Sequence, residues 1–194
     1  RVRVVFPSMS HMGSEAVAAA MRHAGVNAIA LDAMGEEDLK LGRGNTMCKE
    51  CLPMILTTGA LLRYLRTERP DDEVTVYFMP TAEGPCRFGQ YQVFMRNLVR
   101  KQRISDVAFM SLNCDDNYGG LGNDFVILGW YAALASDCFQ VMRHMMLANA
   151  TDPQAAVARL DEVWKDVLEG IAGGWKKLRK ALKMTSVVVT HEMA

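Results

Sequence analysis

Short β-branched and aromatic runs alternate along this chain with longer segments whose apolar residues recur every three or four positions. The runs predict strands over residues 1–6, 27–31, 74–78 and 107–112, and a fifth over 186–190, where three valines stand between Ser186 and Thr190. The periodic segments predict helices over 14–24, 46–65, 88–101 and about 123–149. Residues 152–184 form a further helical region, with Leu160, Val163, Trp164, Val167, Leu168 and Ile171 on one face. Gly25 caps the end of the first helix, and Gly170, Gly173 and Gly174 bend or break the last region. Strands separated by helices need crossover connections, so the sheet should be mostly parallel and covered on both faces. The pattern therefore predicts one three-layer α/β domain over residues 1–194, with about five strands and a long helical C-terminal part.

Composition narrows the function classes. Half of the 194 residues are hydrophobic, and 22 basic side chains balance 22 acidic ones. That length buries a core as a single domain. Zero net charge argues against nucleic acid, whose partners carry a basic excess or stripe. No apolar run reaches the roughly 20 residues that span a bilayer, and no signal-peptide pattern is present, so the expectation is a cytoplasmic protein without a membrane partner. Five cysteines without scaffold spacing point to reduced thiols, some with metal or redox work. The chain opens on a strand without an initiator Met and ends just after another expected strand, which is the pattern of a piece excised from a larger protein.

Ligands of parallel sheets bind outside the carboxyl ends of the strands. The loops expected there, 7–13, 80–87 and 113–122, hold His11, Cys86 and Cys114. Cys86 stands at the mouth of a helix, between Pro85 and Arg87, where unpaired N–H groups, the helix dipole and a guanidinium favour its thiolate. The plainer alternative is a small residue packing the strand-to-helix turn. Cys48 and Cys51 fall in the first turn of the 46–65 helix, three apart on one face, so both sulfurs can reach one metal. A closed zinc site would need two further ligands, and the same spacing also suits a redox disulfide or two core cysteines. Cys114, followed by Asp115 and Asp116, is a weaker fourth ligand, and Cys138 reads as core. Gly119, Gly120 and Gly122 either cradle a phosphate at the start of the long helix or form a flexible turn. Neither a Walker A sequence nor G-x-G-x-x-G is present. His11 lies beside Ser8, Ser10 and Ser14, where it meets a substrate or metal or does nothing. Met142, Met145 and Met146 read as helix packing, although Met-rich faces also make adaptable interfaces.

Three blocks resemble a known family. Gly42-Arg43-Gly44-Asn45-Thr46 through Cys51-Leu52-Pro53, followed by Ile55-Leu56-Thr57-Thr58-Gly59, resembles the dehydratase-like portion of the large CoA-substrate-specific enzyme activases. These are similar to the 2-hydroxyacyl-CoA dehydratase and benzoyl-CoA reductase family. Gly84-Pro85-Cys86-Arg87-Phe88-Gly89-Gln90-Tyr91 is the more characteristic block, and Asn117-Tyr118-Gly119-Gly120-Leu121-Gly122 resembles a third. The likeness runs from Arg1 to about Gly170. It implies Rossmann-like α/β domains in which cysteine thiolates hold an iron–sulfur cluster, [4Fe–4S]. An ATP-hydrolysing activator drives an electron onto that cluster, and the electron passes to a CoA thioester to give a radical anion. Cys51 and Cys86 match the cysteines of the two blocks, while Cys48 rests on its spacing alone. Four thiolates per cubane is usual, and the chain offers three good candidates and one weak one. It has no recognisable ATPase domain, so ATP belongs to missing domains or to a partner.

Three readings follow: a cluster-binding domain of a CoA-linked reductive system, a structural or docking module with zinc or no metal at its cysteines, and a redox enzyme working through a Cys48–Cys51 disulfide. A homodimer is compatible with each.

Overall fold

In the computed structural model, residues 1–47, 49–82, 84–112 and 118–192 are described, those from 184 onward by backbone alone. Four of the β-branched runs become strands: β1 (Val2–Phe6), β2 (Ala28–Ala30), β3 (Val74–Phe78) and β4 (Val107–Met110). All pair in parallel in the order β2-β1-β3-β4, with Val4 opposite Ala28 on one side and Val76 on the other. Successive side chains point to opposite faces, and two cores result. Val4, Phe6 and Ala28 pack beneath α1 (His11–His23), α5 (Gly122–Asn149) and α6 (Pro153–Ala172). Val5, Tyr77 and Met79 pack beneath α3 (Leu52–Arg63) and α4 (Tyr91–Lys101). The result is a three-layer α/β domain whose chain turns from one side of β1 to the other between β2 and β3.

Three expectations are corrected. The polar stretch before residue 46 contains α2 (Glu36–Asn45), whose first turn is closed by the Gly35 N–H donating to Asp38 Oδ2 at 2.8 Å. The helix expected over 46–65 therefore begins only at Leu52, because Pro53 belongs in a first turn and is excluded from a helix interior. Residues 186–190 are not a fifth strand; they continue α7 (Trp175–Glu192). Each Val or Thr costs a helix only about half a kcal/mol, which an established helix absorbs when no neighbouring strand is there to pair.

Other local signals mark helix ends, although Gly170, expected to bend or break the last region, lies inside α6. Gly25, at φ +81°, ends α1 with its N–H on the Arg22 carbonyl, and the Val26 N–H reaches Met21. Asp152 caps α6 by accepting from the Ala155 N–H at 3.0 Å, and Gly173 and Gly174 separate α6 from α7. At the amino edge of the sheet, a wide helical turn (Tyr64–Glu68) sets the Tyr64 hydroxyl 2.5 Å from the buried Glu73 carboxylate. Glu73 also accepts from Thr75 and pairs with Arg3 at 3.2 Å. The helix α5 differs from the sequence reading in one respect: it is long and apolar enough, by length and composition, to cross a membrane, and 33% of that window is buried within the protein.

Candidate functional site

The elements that follow β1 and β3, together with α3, start at the carboxyl edge of the sheet, on either side of the point where the winding reverses. This is where parallel sheets bind ligands. Cys51 sits there as the N-cap of α3, and its position is set by how α3 packs on α2. The two helices meet almost backbone to backbone: a Cβ on Gly59 would lie 1.7 Å from the Asp38 carbonyl oxygen, and one on Gly42 2.0 Å from that of Ile55. Asp38 then pairs with Arg63 Nε at 2.7 Å, both side chains largely buried. The two glycines of the first block are thus what allow the helix carrying Cys51 to lie where it does.

Cys86 arrives from the other side. After β3 the chain passes through Gly84, at φ +98°, to Cys86, which caps a short 3-10 turn (Arg87–Gln90) leading into α4. Gly89 lets this loop fold back on itself, since a Cβ there would meet the Ala82 carbonyl oxygen at 2.4 Å. Tyr91, at the first position of α4, is where the two approaches meet. Its hydroxyl lies 2.6 Å from Cys51 Sγ, its ring stacks edge-on against Phe88 at 5.0 Å, and the side chain is buried. Burial holds the Tyr91 phenol well above its ordinary titration range, the hydrogen bond and charge of Cys51 add to this, and the charge of Cys86 acts in the same direction.

A cleft of about 280 Å³ opens beside them, lined by Glu50, Cys51, Met54, Arg87, Gln90 and Phe94 among others. Across Phe94 and Asn97 it adjoins a larger groove of about 620 Å³, between residues 44–47 and α4. Gln102 Nε2 donates to Asn45 Oδ1 across the floor of that groove, and Thr46 Oγ1 is buried beside it with no hydrogen-bond partner. The surroundings mix two cations, Arg87 and Lys101, one anion, Glu50, amides and the apolar ring of Phe94.

The sequence-predicted residues are placed as follows. Cys51 contacts the Tyr91 hydroxyl, Cys86 caps the turn that leads into Tyr91, and both are free and exposed. Cys48 and Cys114 lie outside the described residues. Cys51 stands just before α3 rather than inside a helix that begins at residue 46. Among the described residues, no three His, Cys, Asp or Glu side chains gather as a metal site. Gly119, Gly120 and Gly122 take φ of 67°, 72° and 85°, a left-handed path that only glycine follows easily, and deliver the chain to the start of α5. Asp124 stands in that first turn, and a carboxylate there disfavours a phosphate. His11 opens α1, exposed, with Glu15 at 3.8 Å. Cys138 is exposed on α5 rather than in the core. Tyr91 is the site residue the sequence reading did not single out; its signal was its place at the end of the second block.

Comparison with family models, curated proteins and solved structures finds no match to this chain.

Proposed function

We propose that this chain is an iron–sulfur-cluster-binding domain of an ATP-driven, low-potential electron-transfer system acting on CoA thioesters, of the 2-hydroxyacyl-CoA dehydratase and activase type. The observation that carries the reading is that Cys51, at the mouth of α3, contacts the buried Tyr91 hydroxyl while Cys86, from a separate sequence block, caps the turn that leads into Tyr91. The donor set fits in chemistry: two exposed thiols are soft ligands that suit iron–sulfur clusters or zinc. It is incomplete in number, since a cubane usually takes four thiolates. Cys48, three residues before Cys51, and Cys114 are the candidates for the remainder. When bound, a cluster would supply one-electron chemistry. The chain's own residues would hold it and set its surroundings: Arg87 adds positive charge at the cleft, and Tyr91 offers a hydroxyl to Cys51.

The Rossmann-like assignment rests on the parallel order β2-β1-β3-β4 and the reversal of winding beside β1. Hydrolysis of ATP is assigned to an activator domain or subunit, and the adjoining grooves are the space nearest the thiols for a thioester. A reducing, cytoplasmic setting suits free thiols of this kind.

Anaerobic reconstitution with iron and sulfide tests the proposal. Wild type should retain iron and acid-labile sulfide in stoichiometric amounts with a broad visible band. Cys51→Ala and Cys86→Ala should lose most of both, and Cys138→Ala should lose neither. Equal retention by all four proteins, or none in wild type, counts against a cluster at Cys51 and Cys86. Colourless protein holding stoichiometric zinc through the same two cysteines would replace the cluster with a structural metal.

A further inference from the structure

We propose that the outer face of α5 is the surface through which two copies of this chain associate. The helix carries two seams. The inner one follows Phe125, Leu128, Ala132, Ala135, Phe139 and Met146, buried against α1 and α6. The outer one follows Ile127, Tyr131, Leu134, Cys138, Val141 and Met145, all exposed. The second seam follows the first by two or three residues, about 110–120° around the axis, so it forms a separate exposed flank of the helix beside the face turned to the core. Its steps are four, three, four, three and four residues, which is the a/d spacing that two helices share when they pack knobs into holes. An ordinary solvent-facing helix surface has no reason to keep that spacing with apolar residues at every position.

Area supports a second copy as the occupant. The large side chains of the outer seam and the neighbouring Trp130 expose about half of their surface. At roughly 90 Å² each they amount to about 500 Å² per protomer. A symmetric pair would bury about 1,000 Å², the size at which interfaces become specific. A two-fold pairing uses the same seam on both partners, so the surface needs no complement other than itself. The exposed ring pair of Tyr131 and Trp175, 4.6 Å apart, extends the patch at one end, beside a cleft of about 460 Å³.

A bilayer is the competing occupant of an apolar helix, and the packing argues against it. Surrounding α5 with lipid would strip the inner seam from α1 and α6, including the Phe139–Trp164 ring contact at 4.9 Å. It would also break the Arg143–Asp161 ion pair and place Arg143 and Asp137 at hydrocarbon depth.

Sedimentation equilibrium of the chain at tens of micromolar tests the proposal, alongside Leu134→Glu and Val141→Glu. Both side chains are more than half exposed, at 56% and 58%, so the variants should keep the wild-type far-UV spectrum and melting temperature. Wild type should sediment at twice the chain mass and both variants at the chain mass. A short bismaleimide should link wild-type protomers, with the product lost in Cys138→Ser. A monomeric wild type overturns the proposal, as does a dimer that survives both glutamates. Wild-type monomer that co-sediments with phosphatidylcholine vesicles overturns it in favour of a membrane surface.

Discussion

Replacing Gly59 by alanine asks whether backbone contact between α2 and α3 places Cys51. The added methyl would stand 1.7 Å from the Asp38 carbonyl oxygen and 2.5 Å from its carbon. Carbon contacts settle near 3.5 Å, so the helices must part by roughly 1.5–2 Å. Overpacking costs about 1–3 kcal/mol where side chains can yield, and here the obstacle is backbone, so the upper end applies. Alanine returns about 1 kcal/mol through its better helix propensity. The net loss is about 2 kcal/mol, which for a chain of this size lowers Tm by about 4–8 °C. Gly44→Ala is the matched control: Gly44 lies in the same helix pair with nothing within 4 Å of its added Cβ. It keeps only the propensity gain, so it should stabilise by up to about 1 kcal/mol. Urea unfolding followed by circular dichroism measures both. If Gly59→Ala unfolds within about 0.5 kcal/mol of wild type, α2 and α3 do not approach as described. The argument that glycines position Cys51 then falls with it.

Two further outcomes follow from the hydrogen bonds. The Tyr64 phenol is pushed up to about 12, first by burial and then by its bond to Glu73. The fold thus prefers the neutral phenol; its contribution is complete below pH 10 and is lost as pH rises from 10 through 12. Tyr64→Phe should therefore flatten the decline of stability over that window, measured by urea unfolding at each pH. At neutral pH it should cost about 1–3 kcal/mol, because the buried Glu73 loses a donor. An unchanged slope would mean that the phenol titrates alike in both states. Asp152→Ala removes the cap of α6 and should cost about 1 kcal/mol, read as a Tm lower by about 2–4 °C. Asp152→Ser should restore most of it, and failure to do so would assign the loss to something other than capping.

Much of the fold was legible because the deciding signals were local. Val74 to Phe78 read as a strand and is one, and Gly25 and the Gly173-Gly174 pair punctuate helices where expected, while Gly170 stays inside α6. What was missed depends on partners distant in sequence. The helix α2 is polar and holds two glycines, both poor helix formers, and one of them, Gly42, is spent on a close approach to Ile55 that only the folded chain reveals. Ser186 to Thr190 has strand-forming residues but no strand beside it. The sequence pointed to Cys51 and Cys86 by their neighbours, yet nothing local said that the Tyr91 hydroxyl would meet the Cys51 sulfur. Cys138 was misplaced because α5 is apolar on two sides, and periodicity cannot say which side is inside.

The two seams of α5 also constrain how this helix can change in length. Removing or adding one residue rotates everything beyond it by about 100° and carries both seams off their faces together. A change of three or four residues restores them only with a visible twist. Seven residues, about two full turns, return both seams to register, and the 28 residues of α5 span four such repeats. In any chain that keeps both faces, this helix should lengthen or shorten in sevens, while α6, with a single buried face, is free of the double constraint.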